Sequence, residues 1–566
     1  MLTTVIPTLV IVSGLAFVLL VWQRQDANTR RRLRLELQQA WGRAPAERTP
    51  ATAIPSIASY FANGKRTQPD RFAIDDITWS DLELDDVFRR LNATCTSAGE
   101  EVLYRWLRES GRDAETLAKR IALVERFQTS PDGRLAVQLI LSDLGKRRFV
   151  DVTDYLFDDQ PVETTQARLY VWLAAAALIS PLVFFSHTLL GTLLTAGTFL
   201  MNALVYYRRR AGIEAELERL GQLVRIVKCG QRLGRSRIPG LEPQLEAFAA
   251  STAGLASIAK RGFYVGLRGT GALADIVGEY IRIVLLKELI DYEHLRRDVV
   301  RHRETLLDLY ELLGGIDAAL AVASFRDSLP FWTTPAIDWT GARASVEFFD
   351  LFHPMIDVPV SNSRTIGRPL LVTGSNASGK STFLKALAIN AILAQSIGTV
   401  CARRYEAPRF LVLSSMALKD SVLSGESYYT AELRSVRRLL DPDLDGHACL
   451  CVIDEVLRGT NTVERIAAAS AILEELAARD RLCVAATHDG ELVTLLGDRF
   501  ENVHFTEAVT KDGVSFNYRL AEGPATSRNA IRLLGVLGYP SNVVEQARSS
   551  VRGFLATGRW SRTGGS

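Results

Sequence analysis

The most constraining feature of the sequence is residues 169–207, a stretch without a single Asp, Glu, Lys or Arg. At 1.5 Å per residue it is too long for one helix across the ~30 Å hydrocarbon core of a bilayer. It divides naturally near Ser186, His187 and Thr188 into two helices joined by a tight turn. Arg168 precedes it and three arginines follow it, which places both ends on the cytoplasmic side. The alternative is a buried hairpin in a soluble core, and the absence of charge over this length argues against it.

Residues 5–22 form a second uncharged stretch, and 18 helical residues cover about 27 Å. A cleaved signal peptide would begin with basic residues, whereas here Arg24 and Arg30 follow the stretch. We therefore predict an uncleaved anchor whose N-terminus lies outside. A third apolar stretch, residues 272–290, is interrupted by charges and predicts an amphipathic core helix. The anchor and the two helices within residues 169–207 thus make three predicted spans, which indicates a multi-pass protein of the cell (inner or plasma) membrane.

The remaining sequence predicts several domains, since single cores seldom grow beyond about 250–300 residues and the chain has 566. A net charge of +3 with both signs interspersed gives no global electrostatic footprint for nucleic acid. Six cysteines show no CxxC pair and no metal-ligand spacing, which predicts small core residues in a reducing compartment, with a zinc site as a remote alternative. They are Cys95, Cys229, Cys401, Cys449, Cys451 and Cys483.

A glycine-rich loop follows the apolar run LLVT and precedes a run of helix formers, FLKALAINAILA. Its glycines, Gly374 and Gly379, allow a close backbone approach, and its N–H groups with the helix N-terminus form an anion cradle. Lys380 would reach the β- and γ-phosphates of ATP, and the Ser381 hydroxyl would ligate Mg²⁺. The residues predicted to contact the nucleotide are Gly374, Ser375, Asn376, Ala377, Ser378, Gly379, Lys380, Ser381 and Thr382.

Two further apolar runs end in residues suited to nucleotide hydrolysis. CLCVID closes on Asp454, which would hold Mg²⁺, and is followed by Glu455, which would polarise the attacking water. LCVAATH ends in His488, at the carboxyl edge of a parallel sheet, where a histidine can sense the γ-phosphate. The alternative for each is a strand that merely ends in polar residues, and for the two acids the loop upstream argues against it.

The motifs TGSNASGKST, LSGESYYTAEL, IDEVLRGTNT and ATHDGEL occur in the order and spacing of the MutS superfamily. The chain resembles these ABC-related ATPases, which include mismatch-recognition proteins. The resemblance implies ATP and Mg²⁺ as ligands and a homodimer with composite sites, in which signature-loop residues Ser424, Gly425 and Ser427 act on the partner's nucleotide. It assigns catalytic roles to Glu455, His488 and Lys380. It also implies that His504 packs on adenine, with a sheet-edge histidine as an equal alternative.

The resemblance and the apolar blocks together predict a multidomain fold. It has α-helical transmembrane segments and an all-α core and lever domain, followed by an α/β P-loop (ABC-type) ATPase domain with a C-terminal helix-turn-helix. At residue 77 the pattern predicts a short strand or turn and then helices. The predicted domains are an anchor (1–22), a juxtamembrane helix and linker (23–76), the helical core (77–168 and 208–335), the hairpin (169–207), the ATPase domain with dimerisation helices (336–555) and a disordered tail (556–566).

Nothing in residues 23–75 is long enough to correspond to the family's mismatch-reading domains, which leaves the cargo open. One hypothesis is a membrane-tethered clamp on mismatched, branched or damaged DNA. Another is an ATP-driven membrane device that acts on lipid or an unknown membrane partner without DNA. An ABC half-transporter is disfavoured, because three spans are too few and the signature loop reads LSGES where such transporters usually carry LSGGQ.

Overall fold

The computed structural model describes most of the chain. The described residues are 24–25, 27–45, 49–67, 73–109, 113–148, 150–157, 166–265, 282–341, 344–375, 378–416, 428–441, 443, 447–458, 460–479, 481–509, 514–525, 530–536 and 538–560. They fall into two compact units. A helical unit lies within 1–69, 91–105 and 122–328, and an α/β unit lies within 70–90, 106–121 and 329–566. The predicted first span, residues 5–22, lies outside the described part of the chain.

The helical unit is built around the helix Arg303–Asp327, whose run GGIDAALAVASF is buried at every position except Gly315. A helix that is apolar all round belongs in a core. Gly314 permits a close crossing, because a Cβ there would lie 2.4 Å from a methyl group of Val102. Further helices that lie wholly or partly in this unit are Ile54–Thr67, Leu84–Leu91, Ser97–Arg108, Ala114–Thr129, Pro131–Leu144, Thr153–Phe157, Ala167–Ile179, Thr188–Arg235, Glu242–Ala253, Ala256–Val265 and Lys287–Arg301.

The predicted hairpin is present in the helical unit. Helix Ala167–Ile179 continues as the 3₁₀ turn Ser180–Phe185, and helix Thr188–Arg235 begins directly after His187. The turn therefore lies where the sequence predicted it. The second helix runs without interruption past the predicted end of the span at residue 207, for 48 residues in all. Arginine is a good helix former, so the three arginines at 208–210 change the polarity of the helix but do not end it.

The surface of the hairpin is apolar. Both of its helical segments are long and apolar enough to cross a membrane. Only 22% and 11% of the most apolar 18-residue stretch of each segment is buried. At the turn, Gly191 packs against the backbone of Phe184, where a Cβ would lie 2.4 Å away. Large exposed apolar side chains along the hairpin include Leu169, Trp172, Leu178, Ile179, Leu182, Phe185, Leu189, Leu193, Leu200 and Leu204.

The described residues of the α/β unit form two sheets. Their strands are β1 (Ala336–Asp338), β2 (Val346–Leu351), β3 (Asn362–Ile366), β4 (Leu370–Thr373), β5 (Arg404–Pro408), β6 (Leu411–Ser415), β7 (Cys449–Asp454), β8 (Leu482–Thr487), β9 (Glu501–Val509) and β10 (Val514–Glu522). The larger sheet has the order β10-β9-β4-β8-β7-β6, with β9, β4, β8, β7 and β6 parallel and β10 antiparallel to β9. The smaller sheet has the order β1-β5-β2-β3.

Helices pack against strands of the larger sheet, as the α/β prediction required. Strands β4, β7 and β8 are buried along their whole length, which explains their unbroken apolar sequences. The six cysteines are free, and Cys449, Cys451 and Cys483 pack in the core of this sheet. The helices are Asp76–Asp81, Lys380–Ile397, Tyr428–Leu439, Thr462–Ala478, Glu491–Leu496, Ala530–Val536 and Ser541–Thr557.

The prediction of a strand or turn at residue 77 is wrong. Residues Asp76–Asp81 form a helix, because the side chain of Asp75 accepts a hydrogen bond from the backbone N–H of Thr78 at 2.8 Å and caps the helix N-terminus. An aspartate before an acidic first turn is the sequence signal for this cap. This helix belongs to the α/β unit although it lies far from it in sequence.

Candidate nucleotide-binding site

The glycine-rich loop lies between β4 and the N-terminus of helix Lys380–Ile397. Gly374 and Gly379 have φ angles of 144° and 109°, which L side chains rarely adopt. A Cβ at Gly374 would lie 3.0 Å from the carbonyl oxygen of Phe505, and one at Gly379 would lie 3.2 Å from the ring of Tyr518. Both the backbone conformation and the space therefore require glycine here.

Polar atoms of this loop point inward. Lys380 Nζ donates hydrogen bonds to the carbonyl oxygens of Gly374 at 2.7 Å and Ser375 at 2.8 Å. The hydroxyl of Ser378 is buried and has no hydrogen-bond partner. Ser381 and Thr382 are exposed at the start of the helix. An ammonium group, an unsatisfied hydroxyl and a helix N-terminus in one concave loop fit a phosphate chain.

Three parallel strands end at the same edge of the larger sheet. Strand β4 leads to the loop, β7 ends at Asp454 with Glu455 next, and β8 is followed by His488. Glu455 Oε1 lies 3.2 Å from Nδ1 of the exposed His488, and Glu455 Oε2 forms an ion pair with Arg458 Nε at 2.7 Å. The predicted catalytic carboxylate therefore lies between two nitrogen groups.

Asp454 fits the predicted role of a magnesium ligand. It is buried, and its Oδ1 has no hydrogen-bond partner. Its Oδ2 lies 3.8 Å from Arg458. Within the described residues, no group of three or more His, Cys, Asp and Glu side chains comes together as a metal site. Mg²⁺ usually takes one or two protein oxygens together with phosphates and water, so the unpartnered carboxylate oxygen of Asp454 fits one of its ligands.

The backbone after β7 is strained. Glu455 and Leu457 are non-glycine residues with φ angles of 58° and 59°. Side chains in this left-handed region cost free energy, so the surrounding structure must hold them there. The N–H of Glu455 donates to the carbonyl of Ala486 at 3.0 Å, and the N–H of Arg458 donates to the Glu432 carboxylate at 3.1 Å. These contacts hold the turn that directs Glu455 toward the loop.

A cavity of about 660 Å³ connects the loop to an apolar wall. The wall includes Val358, with an exposed fraction of 89%, and Tyr518, with 44%. An apolar and aromatic wall beside a phosphate cradle suits a nucleotide base. The cavity is lined by Leu351, Phe352, His353, Ile356, Val358, Pro359, Val360, Asn362, Ser375, Gly379, Lys380, Ser381, Thr382, Phe383, Ala386, Glu455, Arg458, Phe505 and Tyr518.

His504 is absent from the lining of this cavity. Its Nδ1 lies 2.9 Å from the carbonyl oxygen of Gly523, and the residue is paired in β9 between β4 and β10. Tyr518 takes the position beside the loop instead. A register shift in β10 between Phe516 and Leu520 accompanies a φ of 53° at Tyr518, and such bulges re-aim side chains.

The structure brings seven predicted site residues together: Ser375, Gly379, Lys380, Ser381, Thr382 and Glu455 line one cavity, with His488 in contact with Glu455. Asn376, Ala377, Ser424, Gly425 and Ser427 lie outside the described residues. Arg458, Tyr518 and the apolar wall were not predicted from the sequence. Arg458 left no usable signal in the sequence, because it pairs with Glu455 across a turn with left-handed backbone at Glu455 and Leu457 and not along a helix.

Residues 370–554 match the protein family described as MutS domain V. The chain is 30% identical over 269 residues to the DNA mismatch repair protein MutS of Thermus thermophilus, which covers 46% of this chain and 32% of that protein. It is 28% identical over 304 residues to the protein of the same name from Natronomonas pharaonis, which covers 50% of this chain and 34% of that protein. It is 29% identical over 272 residues to the one from Thermotoga maritima, which covers 46% of this chain and 33% of that protein. The chain thus spans about a third of the length of these relatives.

Proposed function

This chain belongs to the MutS superfamily, and on that premise we propose that it is a membrane-tethered ATPase that works as a homodimer and couples ATP turnover to DNA binding. The observation that carries the ATPase proposal is the shared sheet edge. Three parallel strands bring Lys380, Glu455 and His488 to one place, beside a cavity large enough for a nucleotide.

Each site residue has a chemical task in this proposal. Lys380 would exchange its two loop carbonyls for phosphate oxygens, and Ser378 would gain the partner that it lacks. Ser381 and Asp454 would hold Mg²⁺, which supplies charge neutralisation on the phosphates. Glu455 would orient the attacking water and accept its proton. For this, its carboxylate must become accessible, so its pairing with Arg458 would loosen when ATP is bound.

Dimer formation is supported by the C-terminal helices. Helices Ala530–Val536 and Ser541–Thr557 pack on each other and expose the large apolar side chains of Val543 and Leu555. Apolar side chains exposed on paired helices suit a contact with a second copy. In the dimer, Ser424 and Ser427 of one subunit would act on the nucleotide of the other.

Two cargoes are proposed, DNA and a membrane partner or lipid. The three relatives compared above are named DNA mismatch repair proteins, which favours mismatched, branched or damaged DNA as the cargo. The hairpin favours a second candidate function, in which ATP turnover acts on a membrane partner or lipid without DNA. Its largely exposed apolar surface is suited to lipid and would place the protein in the cell membrane, with the ATPase domain in the cytoplasm.

The test is steady-state ATP hydrolysis by the full-length protein in detergent and in liposomes, with no DNA and with duplex, mismatched or branched DNA. We expect stimulation by DNA that fades as salt is raised, because phosphate contacts release counterions. Stimulation by liposomes alone, with no response to any DNA at low salt, would favour action on a membrane partner or lipid over DNA binding. The Glu455→Gln variant serves as the matched control for contaminating ATPases.

A further inference from the structure

The α/β unit contains a short segment from the N-terminal half of the chain, residues 74–84, which we call the docking segment. Its helix Asp76–Asp81 packs against strand β6. Arg438 links the two, because its guanidinium donates hydrogen bonds to the Asp75 carboxylate and to the Ser414 carbonyl. The docking segment therefore forms part of the wall at the carboxyl end of β6.

One carboxylate oxygen makes the central contact. Oδ2 of Asp81 accepts hydrogen bonds from the Ser414 hydroxyl at 2.8 Å and from the Met416 backbone N–H at 2.9 Å. The Thr78 hydroxyl accepts a further bond from the Ser414 N–H at 3.2 Å. All three donors lie at the point where β6 ends, and Asp81, Ser414 and Met416 are buried. A buried hydrogen bond of this kind fixes position, because breaking it leaves polar groups unsatisfied.

Strand β6 lies beside the candidate magnesium site. It pairs in parallel with β7, so that Ser415 lies opposite Ile453, the residue before Asp454. The end of β6 therefore lies next to the backbone that leads into Asp454. Two residues after Asp81, the docking segment makes a second contact near the site.

That second contact is an ion pair between Glu83 and Lys385, at 3.0 Å. Lys385 lies on the helix that begins at Lys380, four residues after Ser381 and hence on the same face. The docking segment thus contacts both sides of the magnesium end: the end of β6 through Asp81, and the helix that carries Ser381 through Glu83.

A second cavity, of about 580 Å³, lies between these contacts. Its wall includes both predicted magnesium ligands together with side chains of the docking segment. It is lined by Asp76, Ile77, Ser80, Asp81, Glu83, Ser381, Lys385, Met416, Asp454 and Arg458. The apolar wall of the first cavity and its Tyr518 are absent from this lining. The docking segment therefore borders the magnesium end of the site and not the end suited to the base.

We propose that Asp81 is a positioning residue for the magnesium end of the nucleotide site. Its carboxylate fixes the end of β6 and, through the β6–β7 pairing, the Asp454 carboxylate opposite Ser381. The inference rests on the proposed ATPase function and adds to it a residue outside the ATPase sequence motifs. Asp81 acts through Ser414 and Met416, so it affects magnesium use and turnover more than nucleotide capture.

The test compares Asp81→Ala and Asp81→Asn in the full-length protein. Asp81→Ala removes the acceptor, and we expect kcat to fall about 10- to 100-fold, as small displacements of reacting groups do. The KM for ATP should change by less than about twofold, because loop and base contacts remain. The Mg²⁺ concentration for half-maximal hydrolysis should rise. Asp81→Asn should restore all three values to near wild type, since one amide oxygen can accept both hydrogen bonds.

Asp86→Ala is the matched control, because Asp86 is a nearby exposed carboxylate that pairs with Arg89. Ser414→Ala is the second variant if Asp81→Ala does not fold, since it removes one of the two donors and should shift the Mg²⁺ dependence in the same direction. Wild-type kcat and Mg²⁺ dependence in folded Asp81→Ala or Ser414→Ala would overturn the proposal. So would an Asp81→Asn variant as impaired as Asp81→Ala.

Binding of a fluorescent ATP analogue, with and without Mg²⁺, separates this proposal from the ATPase proposal. If the wild-type protein failed to hydrolyse ATP, the proposed function would fall. The role of Asp81 would still be decided, because it predicts that Asp81→Ala needs a higher Mg²⁺ concentration to reach the same gain in nucleotide affinity, while Mg²⁺-free binding stays unchanged. A wild-type Mg²⁺ dependence of nucleotide binding in Asp81→Ala would overturn it.

Discussion

At the scale of single residues, the site is defined by pairings that a nucleotide would have to replace. Lys380 donates to two loop carbonyls, and Glu455 lies between Arg458 and His488. Ser378 and Asp454 keep one unpartnered buried oxygen each. Lys380 and Glu455 have partners that they can exchange for a phosphate or a water molecule. Ser378 and Asp454 have unmet hydrogen-bonding capacity in the same place. This combination is expected of a site built for an anionic ligand with a bound cation.

The base end of the site gives the first prediction. Tyr518→Ala should raise the KM for ATP about three- to tenfold, because an aromatic contact contributes about 0.5–1.5 kcal/mol. Its kcat should change little, because Tyr518 would contact the base and has no part in activating the attacking water. His504→Ala should have a smaller effect on KM, because His504 contacts Gly523 and is absent from the cavity lining. Steady-state kinetics of both variants provide the test, and a larger KM effect from His504→Ala would reverse the assignment.

A second residue-scale prediction concerns Asp317 in the helical unit. Its carboxylate is fully buried and accepts hydrogen bonds from the backbone N–H groups of Cys95 and Thr96. Burial raises the pKa of Asp317 from 3.8 to about 6. The folded state therefore binds a proton more tightly than the unfolded state, and stability falls as pH rises from about 4 to 6, by about 3 kcal/mol in total.

Asp317→Asn should remove this pH dependence. The thermal unfolding midpoint of wild type, relative to that of the variant, should therefore decrease between about pH 4 and pH 7. Asp308→Asn, at an exposed position on the same helix, is the control and should keep the wild-type dependence. A difference in midpoint between wild type and the Asp317→Asn variant that stays constant over this pH range would contradict the proposed titration of Asp317.

At the scale of secondary-structure elements, the sequence predicted those elements whose signal is local. The loop between β4 and helix Lys380–Ile397 and the hairpin turn near His187 lie where the sequence placed them. Both depend on short patterns: glycines before a helix, and a polar turn within an apolar block. The helix Asp76–Asp81 was misassigned because six residues show too little periodicity, although its cap at Asp75 was readable.

Elements set by distant partners could not be predicted from the sequence. Tyr518 reaches the site because β10 pairs with β9 and shifts register, and neither event leaves a local signal. Likewise, the contact of Asp81 with Ser414 joins residues 333 positions apart. No alternation or motif in either segment specifies that contact. The apolar wall beside the loop belongs to this class as well, since its residues follow a short strand of the smaller sheet.

The hairpin supplies the prediction at this scale. If it crosses the membrane as proposed, His187→Cys should react with a membrane-impermeant maleimide in intact cells. Arg237→Cys, beyond the end of helix Thr188–Arg235, should react only after the cells are permeabilised. Five of the six native cysteines are buried, so background labelling should be low. Labelling of Arg237→Cys in intact cells, or protection of His187→Cys, would contradict the proposed orientation.

At the scale of the whole molecule, an α/β unit that contains the match to MutS domain V is combined with a helical unit that contains an apolar hairpin. The family match covers residues 370–554, whereas the whole helical unit, including the hairpin, lies outside it. The long helix Thr188–Arg235 continues without a break from the hairpin into the core of the helical unit. One helix thus belongs both to the proposed membrane segment and to the core of that unit.

The most direct test of the account is ATP hydrolysis by the purified full-length protein and by its Glu455→Gln variant, with nucleotide binding measured in parallel. We predict that wild type turns over ATP in the presence of Mg²⁺. The variant should bind ATP with similar affinity but lose at least about 100-fold in kcat, as expected when a general base is removed. Normal hydrolysis by the variant would contradict the role of Glu455. Absence of both binding and hydrolysis in the wild-type protein would contradict the assignment of the site itself.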